Sequence, residues 1–431
     1  MKLKVLVLGS GGREDALCWK ISQSNFLDEL YCVPGNPGTS RWAKNISISI
    51  DDFQGIKKFC EENKIDFVIV GPENPLVNGI GDFLSGSNIK VFGPSKSASL
   101  IEGSKSFAKD LMIRKNVPTA KFDVFSVDEY SELKALLKKS QYPVVIKADG
   151  LAAGKGVTIC EDQNSALKIL DEIFVLKKFG EAGSKIVIEE FLEGEEFSVF
   201  AITDGFTYKI LTPAQDYKRI GDGDTGKNTG GMGSYSFSEL LSENQIQEIK
   251  SKIIESVLEG LREKGTPYQG CLYCGLMQTK DGIKVIEFNC RFGDPETQSV
   301  LTTIKSDFLE LLWKAVNNEL TDYDLELRGK AVCLVLASKG YPDEFEKGYE
   351  INGLEQVENS EGLMVFHAGT KSENGKIITN GGRVLNLVAF SEELPFSDLI
   401  KKVYDAAELI SFENKYFRKD IGLRGLNKFQ V

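Results

Sequence analysis

Histidine is almost missing from this chain. His367 is the only one in 431 residues, so multi-histidine metal sites are excluded. It stands in "MVFHAGT", where alternation reads as strand, and a satisfied structural histidine is expected; histidine-based triads fall with that reading. No apolar run approaches the length of a bilayer span. The N-terminus opens straight into a strand pattern without a basic segment, signal core or cleavage site, so cytoplasmic residence is expected. Positive charge is also scarce: 52 basic residues face 63 acidic ones, a formal net charge of −11. That balance disfavours nucleic-acid binding, although a local basic pocket for a phosphate is compatible with it.

Chemistry must therefore rest on carboxylates, lysines, arginines and backbone amides. Eight cysteines are scattered, mostly inside apolar runs, as buried thiols of a reducing compartment would be. "CLYC" at 271–274 has the spacing of a zinc half-site, but no second pair follows and the stretch reads as strand. Residues three apart on a strand point to opposite faces, so a structural role is expected.

At this length the chain should divide into two to four domains. The first hundred residues alternate strand candidates ("KVLVLG", "LYCV", "DFVIVG", "KVFG") with helical stretches near 13–23, 52–63 and 75–85, which predicts a parallel sheet flanked by helices. Gly- or Pro-bearing turns end each strand, at the edge where open α/β sheets bind ligands. From about 104 a helix, "SKSFAKDLMIRKN", leads into strands joined by turns, with helices near 128–138 and 163–175. The loop "RIGDGDTGKNTGGMGSYS" is too long for a simple connection and is expected to be functional. A long helix at about 243–264 and strands "GCLYCGLMQT" and "IKVIEFN" follow, and strand and helix alternate again from about 328. The expected division is 1–103, 104–327 (with a lid at about 120–192) and 328–431.

Three motifs carry chemistry. "LGSGGREDAL" is not a dinucleotide fingerprint, because Glu14 stands where GxGxxG needs its last glycine. What remains is a helix N-terminus with Arg13 nearby, suited to one phosphate monoester with a hydroxyl or amine near Glu14. "KADGLAAGKGV" is not a Walker A loop either: strands flank it on both sides, giving a glycine hairpin able to fold over a triphosphate, with Lys147 at its base. "IEFNCRFGDPE" sets Glu287 and Asn289 on one strand face, a hard-oxygen pair for Mg²⁺, and Arg291 and Asp294 in the next turn could bind a zwitterion. In "VIEEFLEGEEFS", Glu196 opens a strand where a carboxylate could accept ribose hydroxyls.

These motifs, taken in order with "GPENPLV", "FGPSKSAS", "EGSKSFAKD" and "PAQDYKRIGDGDTGKNTGGMGSYS", resemble the phosphoribosylamine–glycine ligases, or glycinamide ribonucleotide synthetases, of the ATP-grasp superfamily. The resemblance covers essentially the whole chain. It implies an α/β architecture: a Rossmann-like N-terminal domain, an ATP-grasp region with a small lid subdomain, and a C-terminal α/β domain. Lys105 and Lys147 should contact ATP phosphates, with Gly150, Gly154, Lys155 and Gly156 of the hairpin closing over them. Glu189 and the Leu192 backbone fall at the adenine hinge, Glu196 at the ribose, and Glu287 and Asn289 at the metal, Mg²⁺ or Mn²⁺. Gly12, Arg13, Glu14, Glu73, Gly93 and Ser95 should line a phosphoribosylamine crevice. Asp216, Lys218, Arg291 and Asp294 are candidates for glycine and intermediate contacts, and Lys105, Lys147, Arg291 and Asp294 for catalysis.

The implied reaction consumes ATP, glycine and 5-phosphoribosylamine through a glycyl phosphate. The expected partners are small molecules alone, and a monomer without fused pathway enzymes is expected. Another ATP-grasp carboxylate–amine ligase, a nicotinamide-dependent oxidoreductase and a non-catalytic nucleotide sensor are the rival readings. The family usually reads "GGREHA" at the first turn; this chain has Asp15 in place of the histidine. If that position contacts phosphate, the carboxylate weakens substrate binding; if it caps or packs, the change is neutral. A smaller departure is "YSF" at 235–237, where a proline is usual.

Overall fold

A computed structural model describes residues 2–152 and 155–429. Gly154 of the glycine hairpin lies outside the described residues.

The opening strand, Leu3–Gly9, is the centre of a five-stranded parallel sheet in the order Lys44–Asn45, Leu27–Pro34, Leu3–Gly9, Phe67–Val70, Lys90–Phe92. Burial on both faces explains its unbroken apolar run. Leu6 and Leu8 enter one core with Val68 and Val70, while Leu3, Val5 and Val7 enter another with Leu17 and Ile21. The order reverses beside Leu3–Gly9, so the turn after Gly9 stands at a topological switch point. The helical stretch expected at 75–85 is two short helices, Glu73–Val77 and Ile80–Leu84. Gly79, at φ +91°, breaks them apart.

Residues 122–190 contain a four-stranded antiparallel sheet, ordered Phe122–Ser126, Lys185–Glu190, Val144–Ala148, Val157–Cys160. Helices Tyr130–Leu137 and Gln163–Phe174 cover it and close a separate small core around Leu133, Leu170 and Ile173. The helix expected at 243–264 runs from Glu243 to Glu263 with a π-turn at Lys250–Ile254.

Apart from two small hairpins, Arg219–Gly221 with Thr225–Asn228 and Thr370–Glu373 with Lys376–Thr379, the remaining strands build one ten-stranded sheet. Its main path runs Gly282–Asn289, Gly270–Thr279, Glu195–Thr203, Ala214–Asp216, Gly233–Phe237, Lys330–Ser338, Arg383–Ser391, Leu363–His367. Gly233–Phe237 pairs directly with Lys330–Ser338, so the sheet crosses residue 328 without a break. Tyr235 and Phe237 sit in the same core as Leu334, Leu387 and Val403. In the strand Gly270–Thr279, Cys271 and Cys274 face two different cores, as their spacing implies, and burial raises both thiol pKa values. Among the described residues no helix is long and apolar enough to cross a membrane.

Candidate active site

A cleft of about 1180 Å³ opens between the four-stranded sheet, the ten-stranded sheet and the carboxyl edge of the parallel sheet. Its wall includes Lys105, Lys147, Gly156, Glu189, Leu192, Glu196, Asp216, Lys218, Glu287, Asn289, Arg291, Asp294, Arg13 and Glu73. Fourteen expected positions, drawn from three parts of the chain, therefore meet on one surface.

At one end, strand Val144–Ala148 carries Lys147 inward, and its ammonium lies 2.9 Å from Glu189 Oε1 and donates to Ile286 O at 3.2 Å. Lys109, one helical turn beyond Lys105, meets the other Glu189 oxygen at 3.2 Å and donates to Thr119 Oγ1 at 2.8 Å. Burial lowers the Lys109 pKa to about 8. Nothing in the sequence reading singled out Lys109; its i+4 spacing from Lys105 was the available signal. Lys105 begins the helix Lys105–Arg114 and reaches Gly150 O at 3.3 Å. Burial depresses its pKa as well.

Glu287 and Asn289 form the middle of the cleft. Strand Gly282–Asn289 and the residue that follows it turn Phe288 and Cys290 into the core, leaving the two polar side chains on the cleft side. Burial opposes ionisation of Glu287, but Lys218, Lys147, Lys105 and Arg291 outweigh it and hold the carboxyl below its usual range. A carboxylate and an amide oxygen suit a hard cation that takes its other ligands from phosphates and water. Among the described residues no group of three or more His, Cys, Asp or Glu could hold a metal without such help. Beside this pair Glu196 meets Lys218 at 2.9 Å, and that ammonium lowers the Glu196 pKa. Burial pushes the Asp216 carboxyl up to about 7, against the pull of Lys218.

At the far end Arg291 lies 3.2 Å from Glu73 and 3.4 Å from Glu102. Arg13 donates to Glu14 Oε1 at 2.6 Å and to Phe292 O at 3.0 Å. Asp294 is held by Gln298 at 2.8 Å and by Arg383 at 3.1 Å. Arg383, Glu296, Tyr273 and Arg424 also line the cleft and were not expected from sequence. Tyr273 donates to Glu296 at 2.9 Å and accepts from Ser198 at 2.7 Å.

Six expected positions lie off this wall. Glu14 is buried and bends back to accept from Gly11 N at 2.6 Å, the reach of a third-position glutamate to its helix cap, and it fills the space beside Gly9 and Gly71. Gly12 packs against Asn386 and Gln298. Gly93 abuts Leu76, and Ser95 caps its own turn by accepting from Ala98 N. Gly150 packs on Ala182 and presents its carbonyl to Lys105; Lys155 is exposed.

Asp15 does not face the cleft. Its fully buried carboxylate accepts from His367 N at 2.7 Å and from Arg41 and Trp42 at 3.1 Å each. The substitution is thus absorbed by packing between the first helix and strand Leu363–His367. His367 is buried, with Nδ1 3.0 Å from Thr370 Oγ1, the structural role expected of it.

Fold and cleft together define an ATP-grasp ligase. Residues 3–102, 103–297 and 331–424 match the N, ATP-grasp (A) and C domains of phosphoribosylglycinamide synthetase, respectively. The phosphoribosylamine–glycine ligase of Caldanaerobacter subterraneus subsp. tengcongensis is 46% identical over 97% of this chain and 99% of its own. That of Leptospira interrogans serovar copenhageni is 45% identical over 99% and 100%. The crystal structure of the Thermotoga maritima phosphoribosylamine–glycine ligase superposes with a TM-score of 0.85 at 35% identity, covering 97% of this chain and all of that one. The chain belongs to the phosphoribosylamine–glycine ligase family. Its activity is ATP-dependent carbon–nitrogen ligation that makes glycinamide ribonucleotide for purine biosynthesis.

Proposed function

We propose that the cleft divides into a nucleotide end at Lys105, Lys147, Glu189, Leu192 and Glu196, a glycine position near Asp216, Lys218 and Asp294, and a phosphoribosylamine end at Arg13, Glu73 and Arg291. The meeting of Lys105, Lys147, Lys218 and Glu287 on the wall of one cleft carries this reading. The glycine carboxylate oxygen attacks the γ-phosphorus as the bond to ADP breaks, giving glycyl phosphate. The phosphoribosylamine nitrogen then attacks the acyl carbon, phosphate leaves with the C–O bonding electrons, and the nitrogen sheds one proton. Phosphoryl transfer needs positioning and charge neutralisation more than a dedicated base, which suits a cleft without histidine.

Lys105, Lys147 and Lys218 hold anionic oxygens, and the lid sheet excludes water from the acyl phosphate. Glu287 and Asn289 fit Mg²⁺ or Mn²⁺, which when bound supplies neutralisation of the triphosphate. The acidic chain is read as a cytoplasmic monomer that binds small molecules only, without nucleic acid or membrane. The test is ADP release with glycine and phosphoribosylamine omitted in turn. Release that needs both supports the assignment. Release that needs neither, or needs another carboxylate, contradicts it.

A further inference from the structure

The segment Tyr416–Arg424, close to the C-terminal end of the fold, grips the loop that carries Lys218. Tyr217 follows directly on strand Ala214–Asp216 and separates the two cleft residues Asp216 and Lys218. Its ring is fully buried behind the cleft wall, which Arg424 also lines. There the Tyr217 ring is covered by two guanidinium groups, Arg418 at 4.7 Å and Arg424 at 3.9 Å. Its hydroxyl accepts from Gly422 N at 2.9 Å and Arg424 N at 3.4 Å.

The grip continues along the next seven residues. Arg418 donates to Arg219 O at 2.9 Å and shares Asp224 Oδ1 with Arg424, each at 3.0 Å. Tyr416 donates to Ile220 O at 2.8 Å, Lys419 N to Asp222 at 2.8 Å, and Gly223 N to Asp420 at 2.9 Å. The small hairpin of Arg219–Gly221 and Thr225–Asn228 has almost no apolar material with which to hold itself: its second strand is exposed throughout. Its position is set from outside, by the C-terminal segment.

We infer that Arg424 is a positioning residue: by holding Tyr217 and Asp224 it aims the Lys218 ammonium into the cleft, toward an anionic group of the substrate. This rests on the reading above in which Lys218 meets the glycine carboxylate. Because Arg424 acts through Lys218, its effect must vanish once Lys218 is gone, which a merely structural residue would not do.

The experiment is a double-mutant cycle on the full chain, with KM for glycine and for ATP as readouts and the melting temperature followed alongside. R424A and K218A are each expected to raise KM for glycine roughly tenfold, and R424A to move KM for ATP less than about threefold. The double variant should match K218A alone, and R424K, which keeps a cation over the ring, should recover most of the loss. If R424A is not recovered folded, R424Q takes its place in the cycle. Effects of the two substitutions that multiply, or an R424A enzyme with an unchanged KM for glycine beside an impaired K218A, overturn the inference. A K218A enzyme with an unchanged KM for glycine instead overturns the assignment of Lys218 on which it rests.

Discussion

Glu287 is the residue on which most of the site's charge converges. Its carboxylate is held ionised by four cationic side chains, and it stands with Asn289 on the cleft wall. E287A should leave the chain folded, with its circular dichroism unchanged, while kcat falls by at least roughly a hundredfold, the scale of losing one electrostatic group at a phosphoryl-transfer centre. Near-normal turnover would remove Glu287 from the metal site. A second residue gives a stability signature. Lys20 is buried, its ammonium bonded to Ile304 O, and burial lowers its pKa to about 8 from 10.5. Between those two values the unfolded chain binds more protons than the folded one, so stability rises as pH rises from about 8 toward 10.5. The contribution is up to about 3 kcal/mol. Urea unfolding at pH 7.5 and 9.5 should show a larger gain for the wild type than for K20M, and parallel pH profiles would contradict it. Lys109, also lowered to about 8, gives both proteins a common rise that the comparison cancels.

The first helix is the element where sequence and structure part most instructively. Its start was legible from the glycine turn after an apolar run, and its bounds, Gly12–Ser22, lie one residue before the expected 13–23. The directions of its side chains were not. Glu14 turns back onto the cap, and Asp15 finds a partner in His367, 352 residues away. Local pattern specifies which face of a helix is apolar, but not which distant strand will supply a donor. The same limit hid Arg383 and Arg424, whose place on the cleft wall depends on the C-terminal strands pairing into the ATP-grasp sheet. By contrast, Glu287 and Asn289 were legible because strand alternation alone puts them on one face, and Lys147 because it stands at the base of the glycine hairpin. Gly12 tests the packing of this helix. An added Cβ would stand 2.1 Å from Asn386 Nδ2 and 2.8 Å from Gln298 Nε2, both on fully buried side chains. G12A should therefore lose about 1–3 kcal/mol in denaturant titration, and N386A in the same chain should recover part of it. A G12A enzyme as stable as the wild type would contradict the tight approach.

At the scale of the whole molecule, three surfaces with different jobs meet around one cleft. The parallel sheet brings a topological switch point and Arg13; the four-stranded lid brings Lys147 and Glu189; the ten-stranded sheet brings Glu196, Glu287 and Asn289, and the loop after its strand Ala214–Asp216 brings Lys218. The lid closes its own small core, whereas the ATP-grasp strands and the C-terminal strands share one sheet and one core. Such a design lets one part cover the reactants while the floor that aligns them stays fixed. Its central chemical claim is that the glycine carboxylate is phosphorylated before the amine attacks. Glycine labelled with ¹⁸O in both carboxylate oxygens tests that claim directly, by mass spectrometry of the released phosphate. Attack on the γ-phosphorus leaves one labelled oxygen bridging carbon and phosphorus, and amine attack at carbon expels it, so each phosphate should carry one ¹⁸O. Phosphate released without label, with the oxygen lost from the carboxylate appearing in water instead, would contradict the account.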